Sequence, residues 1–261
     1  MSQSDSRRLH SPLAGLRKLF RRTAVVLSTM VAGPVSSARD GISRGIIRAR
    51  IPVNAVTLAG PVAASMIFFP AYYGNQPLAG AVLVVAGAFD LLDGAVARLS
   101  RGVTLFGGYL DSVVDRYSDF AMLFGILVYI DRHWDGPLRL LYLILWGLSV
   151  VGTSTTAYVR ARAETAIPLC KVGFMERPER MVTVILGLLS GNVHLSLWIL
   201  AVMTNTISIQ RILYAQVQME GGEPQGRFWF WTYRRVTAQH FAMCAAFILI
   251  LVLGHHLIPP P

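Results

Sequence analysis

Cysteine and charged residues are both scarce in this chain of 261 residues. The two cysteines, Cys170 and Cys244, lie far apart without a partner pattern. The sequence therefore indicates neither a disulfide framework nor a zinc site. Charged residues make up 15% of the chain and hydrophobic residues 54%. That balance excludes an ordinary soluble domain and predicts a polytopic membrane protein.

Acidic residues are outnumbered, with 14 Asp and Glu against 24 Lys and Arg and a net charge of +10. The basic residues cluster between apolar runs and do not form one stripe with interleaved aromatic residues. We therefore expect no nucleic acid partner. The anionic headgroups of membrane lipids, or an anionic substrate, fit the pattern better.

The amino-terminal part of the chain is polar and basic, and we expect residues 1–50 to form a cytosolic arm. Within it, the segment DGISRGIIRARI carries apolar and basic residues at roughly helical spacing. This pattern predicts an N-terminal amphipathic helix that lies in the membrane interface. A disordered basic tail is the alternative interpretation.

Seven apolar runs follow, and a membrane span needs roughly 20 predominantly apolar residues. The predicted helices are Val53–Tyr73, Leu78–Leu99, Leu105–Ile130, Pro137–Tyr158, Met181–Ser190, Val193–Leu213 and Ala238–Ile258. The fifth is too short alone and crosses only if it extends back through GFMERPER, where Pro178 suits a first helical turn. We expect an all-α integral membrane protein with a six-transmembrane-helix bundle and a seventh, C-terminal helix.

Three parts follow from this interpretation of the chain. They are the basic arm at 1–50, the helical bundle at 51–217, and a basic and aromatic loop with the extra helix at 218–261. Orientation follows from Lys and Arg in the short loops. With the amino terminus inside, most basic residues are cytosolic, and so is the turn SRGVT after the second helix. We expect a multi-pass protein whose functional site faces the cytoplasm.

Five acidic residues interrupt the apolar sequence on both sides of that turn. Asp93 and Asp90 lie 9 and 12 residues before Gly102, and Asp111 and Asp115 lie 9 and 13 residues after it. Two antiparallel helices would bring these pairs to matching depth, each pair on one helix face. Four carboxylates packed together in a low dielectric repel one another unless cations neutralise them. Oxygen-only ligands favour Mg²⁺ or Mn²⁺, and such a cluster can share two ions.

Functions of other classes use the same acids differently. A cation transporter would need polar residues across the whole membrane thickness, whereas the sequence becomes apolar after Asp119. An inactive assembly partner would have no need of an intact set of four acids. Both alternatives stay open at this point, but an enzyme that handles a phosphate or nucleotide fits the acids and the adjacent glycines better.

The segment DLLDGAVARLSRGVTLFGGYLDSVVD resembles the signature of the CDP-alcohol phosphatidyltransferases, DxxDGxxAR, eight residues, then GxxxDxxxD. The resemblance implies a homodimer that transfers the phosphatidyl group of a CDP-linked lipid such as CDP-diacylglycerol to an alcohol and releases CMP. It implies that two divalent cations, Mg²⁺ or Mn²⁺, are held by Asp90, Asp93, Asp111 and Asp115. It makes Asp115 the candidate general base. The residues expected to bind the CDP-lipid are Gly94, Ala97, Arg98, Gly107, Asn54 and Thr57.

Two further segments, YVRARAE and FMERPERM, resemble the branch that makes phosphatidylinositol phosphate or its archaeal ether-lipid counterpart from inositol phosphate. Four arginines can supply guanidinium groups to such an acceptor phosphate. They are Arg160, Arg177, Arg180 and Arg211. Ala157 stands where that branch usually has a serine, so glycerol 3-phosphate and free inositol stay open as acceptors. We expect the protein in the inner membrane of a prokaryotic cell.

Overall fold

The computed structural model describes residues 36–100, 104–170, 172–173, 175–222, 246 and 249–251. Within these ranges the structure is helical and contains no β-strand. The helices are α1 at residues 36–48, α2 Val53–Ser65, α3 Phe68–Tyr72, α4 Gln76–Leu99, α5 Leu105–His133, α6 Pro137–Ala163, α7 Arg177–Leu189 and α8 Val193–Met219. The predicted all-α class is confirmed.

Four of the described helical segments are long and apolar enough to cross a membrane. They are Val53–Tyr72, which joins α2 and α3, and the helices α4, α6 and α8. The chain is therefore a multi-pass membrane protein. Helix α5 has 29 residues, but its acids and arginines lower its apolar character. The number of six spans stays a prediction.

Helix α7 is shorter than the predicted fifth span requires. It begins at Arg177 and has 13 residues, a length of about 20 Å against a hydrocarbon core of about 30 Å. The expected extension back through GFMERPER reaches only to Arg177, because residues 175 and 176 are not helical. Pro178 does lie in the first turn, as expected, where its missing N–H leaves no hydrogen bond unmade.

The connection between α4 and α5 brings the acids to one end of the bundle. Helix α4 ends at Leu99 and α5 begins at Leu105, where the side chain of Thr104 accepts a hydrogen bond from the Gly107 amide at 2.9 Å. The two helices do not pack mainly against each other. Helix α2 packs against both of them, and the space that this arrangement leaves is lined by the carboxylates.

Close packing of α6 against α8 builds the other wall of the bundle. It requires glycine at position 152, where a Cβ atom would lie 2.0 Å from the Thr204 hydroxyl oxygen. Nearby, the Thr156 hydroxyl lies 2.7 Å from the Ser208 hydroxyl and donates to the Thr204 carbonyl at 2.9 Å. Small and hydroxyl-bearing residues thus let the two apolar helices approach closely. Such packing holds helices together in a membrane, because the hydrophobic effect does not drive their association in lipid.

The two ends of the chain fall largely outside the described residues. Residues 1–35, most of the predicted arm, are not described, and α1 is helical at 36–48, so that its place in the membrane interface stays a prediction. Of the predicted helix Ala238–Ile258, residues 246 and 249–251 are helical. Leu251 is fully buried, and the Asn192 amide donates to its carbonyl at 3.0 Å. The domain boundaries also stay predictions.

Candidate active site

Three of the predicted metal ligands converge on one point. Asp90 and Asp93 lie on the same face of α4, and Asp111 lies on α5. One carboxylate oxygen from each lies within 4.8 Å of the others. Asp93 is buried, and Thr57 of α2 lines the same small cavity. The spacing deduced from the sequence therefore does place these carboxylates together.

Asp115 lines the same small cavity, which we call the acidic cavity, and Arg177 links it to Asp90. Its Oδ1 atom lies 3.0 Å from Nη1 of Arg177, and the same nitrogen lies 2.6 Å from Oδ2 of Asp90. Asp115 lines the cavity together with the other three carboxylates. Four carboxylates against one guanidinium leave an excess of negative charge in a partly buried space. A donor set of carboxylate oxygens alone fits Mg²⁺ or Mn²⁺.

A second cavity, of about 420 Å³, adjoins the first between α5, α6, α7 and α8. Such a volume lies in the range of small-molecule sites. All four arginines expected to bind an acceptor phosphate line it: Arg160, Arg177, Arg180 and Arg211. Asp115 lines it as well. We call this space the arginine cavity, and it meets the acidic cavity at Asp115 and Arg177.

Two of these arginines are buried and held by fixed partners. Arg211 donates to the carbonyls of Val172 at 2.9 Å and Thr156 at 2.7 Å. Arg180 donates to the Met175 carbonyl at 3.1 Å and to the Asp119 carboxylate at 2.8 Å. Backbone carbonyls cannot neutralise a full charge, so the Arg211 guanidinium retains positive charge that an anion in the cavity could balance. The charge of Arg180 is already paired with the Asp119 carboxylate.

Arg160 is tied to two glutamates at the rim of the arginine cavity. Its Nε donates to Glu164 at 3.1 Å, and its Nη1 donates to Glu176 at 3.3 Å. Glu176 immediately precedes α7, so the pair links the end of α6 to the helix that carries Arg177 and Arg180.

Three charged residues that line the arginine cavity were not assigned to it from the sequence: Arg116, Glu164 and Glu176. Each stands next to, or within one turn of, a residue that was assigned. Glu176 directly precedes Arg177, and Arg116 directly follows Asp115. The available signal in the sequence was a charged residue close to a predicted site residue. This signal is weak, because consecutive helical positions face different directions.

Of the six residues expected to bind the CDP-lipid, Thr57 lines the acidic cavity and the other five do not. Thr57 is buried. Gly94 and Arg98 are neighbours, since a Cβ at Gly94 would lie 3.3 Å from Arg98 Nη1. Ala97 is half-buried, and Gly107 lies in the first turn of α5. Asn54 is exposed one turn before Thr57 and does not line the cavity.

The fold and the site define a helical, multi-pass membrane protein with a carboxylate cavity and an arginine cavity side by side. Residues 51–210 match the family model of CDP-alcohol phosphatidyltransferase. The chain belongs to this family, and it is a transferase. The resemblance inferred from the sequence is confirmed.

Curated relatives indicate the branch of the family to which the chain is most similar. The chain is 32% identical over 189 residues to the archaetidylinositol phosphate synthase of Pyrococcus horikoshii, covering 72% of this chain and 96% of that protein. It is 35% identical over 185 residues to the phosphatidylinositol phosphate synthase of Mycobacterium tuberculosis, covering 66% of this chain and 82% of that protein. The branch indicated by YVRARAE and FMERPERM is therefore confirmed.

Solved structures agree with the sequence relatives. Phosphatidylinositol phosphate synthase of Mycobacterium tuberculosis with CDP-DAG bound superposes with a TM-score of 0.62 at 30% identity, covering 68% of this chain and 92% of that one. The same enzyme in complex with manganese and citrate superposes with a TM-score of 0.63, covering 68% and 88%. At this identity the likeness extends beyond the fold to the sequence.

Proposed function

We propose that this protein transfers the phosphatidyl group of CDP-diacylglycerol to inositol phosphate and releases CMP. The observation that carries the proposal is the place of Asp115, which lines both the acidic cavity and the arginine cavity. A base at this junction can reach a hydroxyl of a molecule in one cavity while a diphosphate occupies the other.

The acidic cavity is the proposed site of the diphosphate. Asp90, Asp93, Asp111 and Asp115 would hold two divalent cations, Mg²⁺ or Mn²⁺, which when bound neutralise the diphosphate and stabilise the charge that develops on its oxygens. The manganese-containing relative supports this choice. Gly94, Ala97, Arg98 and Gly107 lie on the two helices that carry these acids and would contact the nucleotide, and Thr57 lines the cavity. Asn54, exposed one turn before Thr57, is kept as a proposed contact of the CDP-lipid.

The arginine cavity is the proposed site of the acceptor. Arg160, Arg180 and Arg211 would hold its phosphate, with Arg177 at the border of the two cavities. Asp115 accepts the proton of the attacking hydroxyl. The acceptor oxygen then bonds to the lipid-side phosphorus, the bond from that phosphorus to the bridging oxygen breaks, and CMP leaves with the electron pair.

The cellular setting follows from the same features. We propose that the site faces the cytoplasm of a prokaryotic cell from its inner membrane, since basic residues concentrate at that end of the bundle. We also propose that the protein has six spans and a seventh helix, that its three parts meet after residues 50 and 217, and that it forms a homodimer. The archaeal and mycobacterial relatives support a prokaryotic cell, and the family match over residues 51–210 supports a boundary near residue 50.

The acceptor is tested by supplying inositol phosphate, inositol and glycerol 3-phosphate in parallel to purified protein with CDP-diacylglycerol. The lipid product is identified from its mass by mass spectrometry. We expect phosphatidylinositol phosphate as the main product. A main product of phosphatidylglycerol phosphate or phosphatidylinositol would overturn the assignment of the acceptor but not that of the family chemistry.

The base is tested with Asp115→Asn and a matched control on the same helix, Asp131→Asn. Asp131 is exposed and pairs with Arg139, away from both cavities. We expect Asp115→Asn to lower CMP release by at least about a hundredfold, the usual range for a general base. Asp131→Asn should retain it. Equal rates for the two variants would contradict the role of Asp115.

A further inference from the structure

Arg177 lies on the border of the two cavities and lines both. Its side chain is 15% exposed, and its Nη1 bridges Asp90 at 2.6 Å and Asp115 at 3.0 Å. These two carboxylates come from different helices, α4 and α5. The guanidinium therefore lies in the acidic cavity, among the proposed metal ligands, although it also borders the space proposed for the acceptor phosphate.

The other buried arginines of the site are held differently. Arg211 and Arg180 each donate to at least one backbone carbonyl, and no cation would displace those contacts. The ion pairs of Arg177 are to Asp90, Asp115 and, at 3.7 Å, Asp119. Its Nε is buried without a hydrogen-bond partner among the described residues. The position of the Arg177 side chain thus depends on carboxylates that a cation would also bind.

A guanidinium and a divalent cation compete for the same carboxylate oxygens. Like charges about 4 Å apart in a partly buried site repel by several kcal/mol, so both cannot be accommodated without rearrangement. A displaced Arg177 side chain needs another anion. The nearest space that offers one is the arginine cavity, which the side chain already borders, and a phosphate there presents the paired oxygens that a guanidinium binds best.

We propose that Arg177 is a positioning residue that couples cation binding to acceptor binding. Asp90 and Asp115 would hold the cation, and the Arg177 guanidinium, released from them, would turn to the acceptor phosphate. This inference rests on the proposed function. Because coupling between two sites is reciprocal, acceptor phosphate must tighten cation binding by the same factor by which cation tightens acceptor binding.

The test is a titration of the purified protein with Mn²⁺, in which free Mn²⁺ is measured by electron paramagnetic resonance. It is run without additive and with saturating inositol phosphate, sulfate or inositol. Sulfate supplies an oxyanion without the ring, and inositol supplies the ring without the phosphate. We expect inositol phosphate and sulfate to lower the Mn²⁺ dissociation constant by about fivefold or more, and inositol to leave it unchanged.

Variants separate the coupling from simple attraction between anion and cation. In Arg177→Gln, saturating inositol phosphate should change the Mn²⁺ dissociation constant by no more than about twofold. Arg177→Lys keeps the positive charge but lacks the paired N–H donors of the guanidinium, so its change should be intermediate. Arg160→Gln is the matched control from the same cavity. It should need more inositol phosphate to saturate but keep the full effect. Arg162→Gln, outside the arginine cavity, should behave as the unmodified protein.

Two outcomes would overturn the coupling alone. They are Mn²⁺ binding that ignores inositol phosphate in the unmodified protein, and an equal effect in Arg177→Gln. A protein that binds no Mn²⁺ at all would overturn the proposed function together with the coupling. The Mn²⁺ dissociation constant is the readout, so a purely structural role of Arg177 would not reproduce the expected pattern.

Discussion

The buried ion pair between Asp119 and Arg180 allows a quantitative prediction for the substitution Asp119→Asn. The two side chains are 5% and 3% exposed and lie 2.8 Å apart. Removal of the carboxylate charge leaves the Arg180 guanidinium buried with a carbonyl partner and no counter-ion of its own. Breaking one side of such a pair costs about 3–5 kcal/mol.

That loss is a large part of the stability of an ordinary domain. For a chain of this size it corresponds to a fall in melting temperature of roughly 6 to 20 °C. The assay is thermal unfolding of the purified protein in detergent, followed by tryptophan fluorescence. Asp131→Asn is the control, because the Asp131–Arg139 pair is exposed and such pairs contribute about 0–1 kcal/mol.

The double variant Asp119→Leu with Arg180→Met separates the two sources of the loss. If the cost arises from an unpaired buried charge, removal of both charges should restore much of the melting temperature. A melting temperature of Asp119→Asn within about 2 °C of the Asp131→Asn value would refute the reasoning, because it would show that Arg180 is not confined to this pair.

Further predictions concern α6. Ala157 lines the arginine cavity, so Ala157→Ser should add a hydrogen bond and lower the KM for inositol phosphate by about two- to tenfold; steady-state kinetics that show an unchanged or higher KM would contradict this. Gly152→Ala should lower the melting temperature, because its Cβ would lie 2.0 Å from the Thr204 hydroxyl. Gly147→Ala, with open space at its Cβ, should raise or keep it; equal shifts would contradict the packing of α6 on α8.

Local periodicity explains why the acidic cavity could be predicted from the sequence. The spacings of Asp90 with Asp93 and of Asp111 with Asp115 are fixed by helix geometry alone, and the short turn sets their depth. The separation of α4 and α5 by α2 could not be predicted, because a short connection by itself suggests direct packing. That separation makes room for the cavity, and it depends on contacts distant in sequence.

Four of the arginines that line the arginine cavity were predicted from the sequence, but Arg116 and the hydrogen-bond partners of each arginine were not. A strong positive charge near a span end indicated Arg160, Arg177, Arg180 and Arg211. Their partners come from loops and from neighbouring helices, so nothing local to each arginine reveals them. The sequence therefore could not distinguish Arg211, held by carbonyls, from Arg177, held by proposed metal ligands.

The dependence of CMP release on divalent cations tests the central claim most directly. The measurement uses purified protein with CDP-diacylglycerol and inositol phosphate, first in excess chelator and then after addition of Mg²⁺ or Mn²⁺. We expect no turnover in chelator and full recovery with either cation, since four carboxylates cannot accept a diphosphate without neutralisation. Undiminished turnover in chelator would contradict the account.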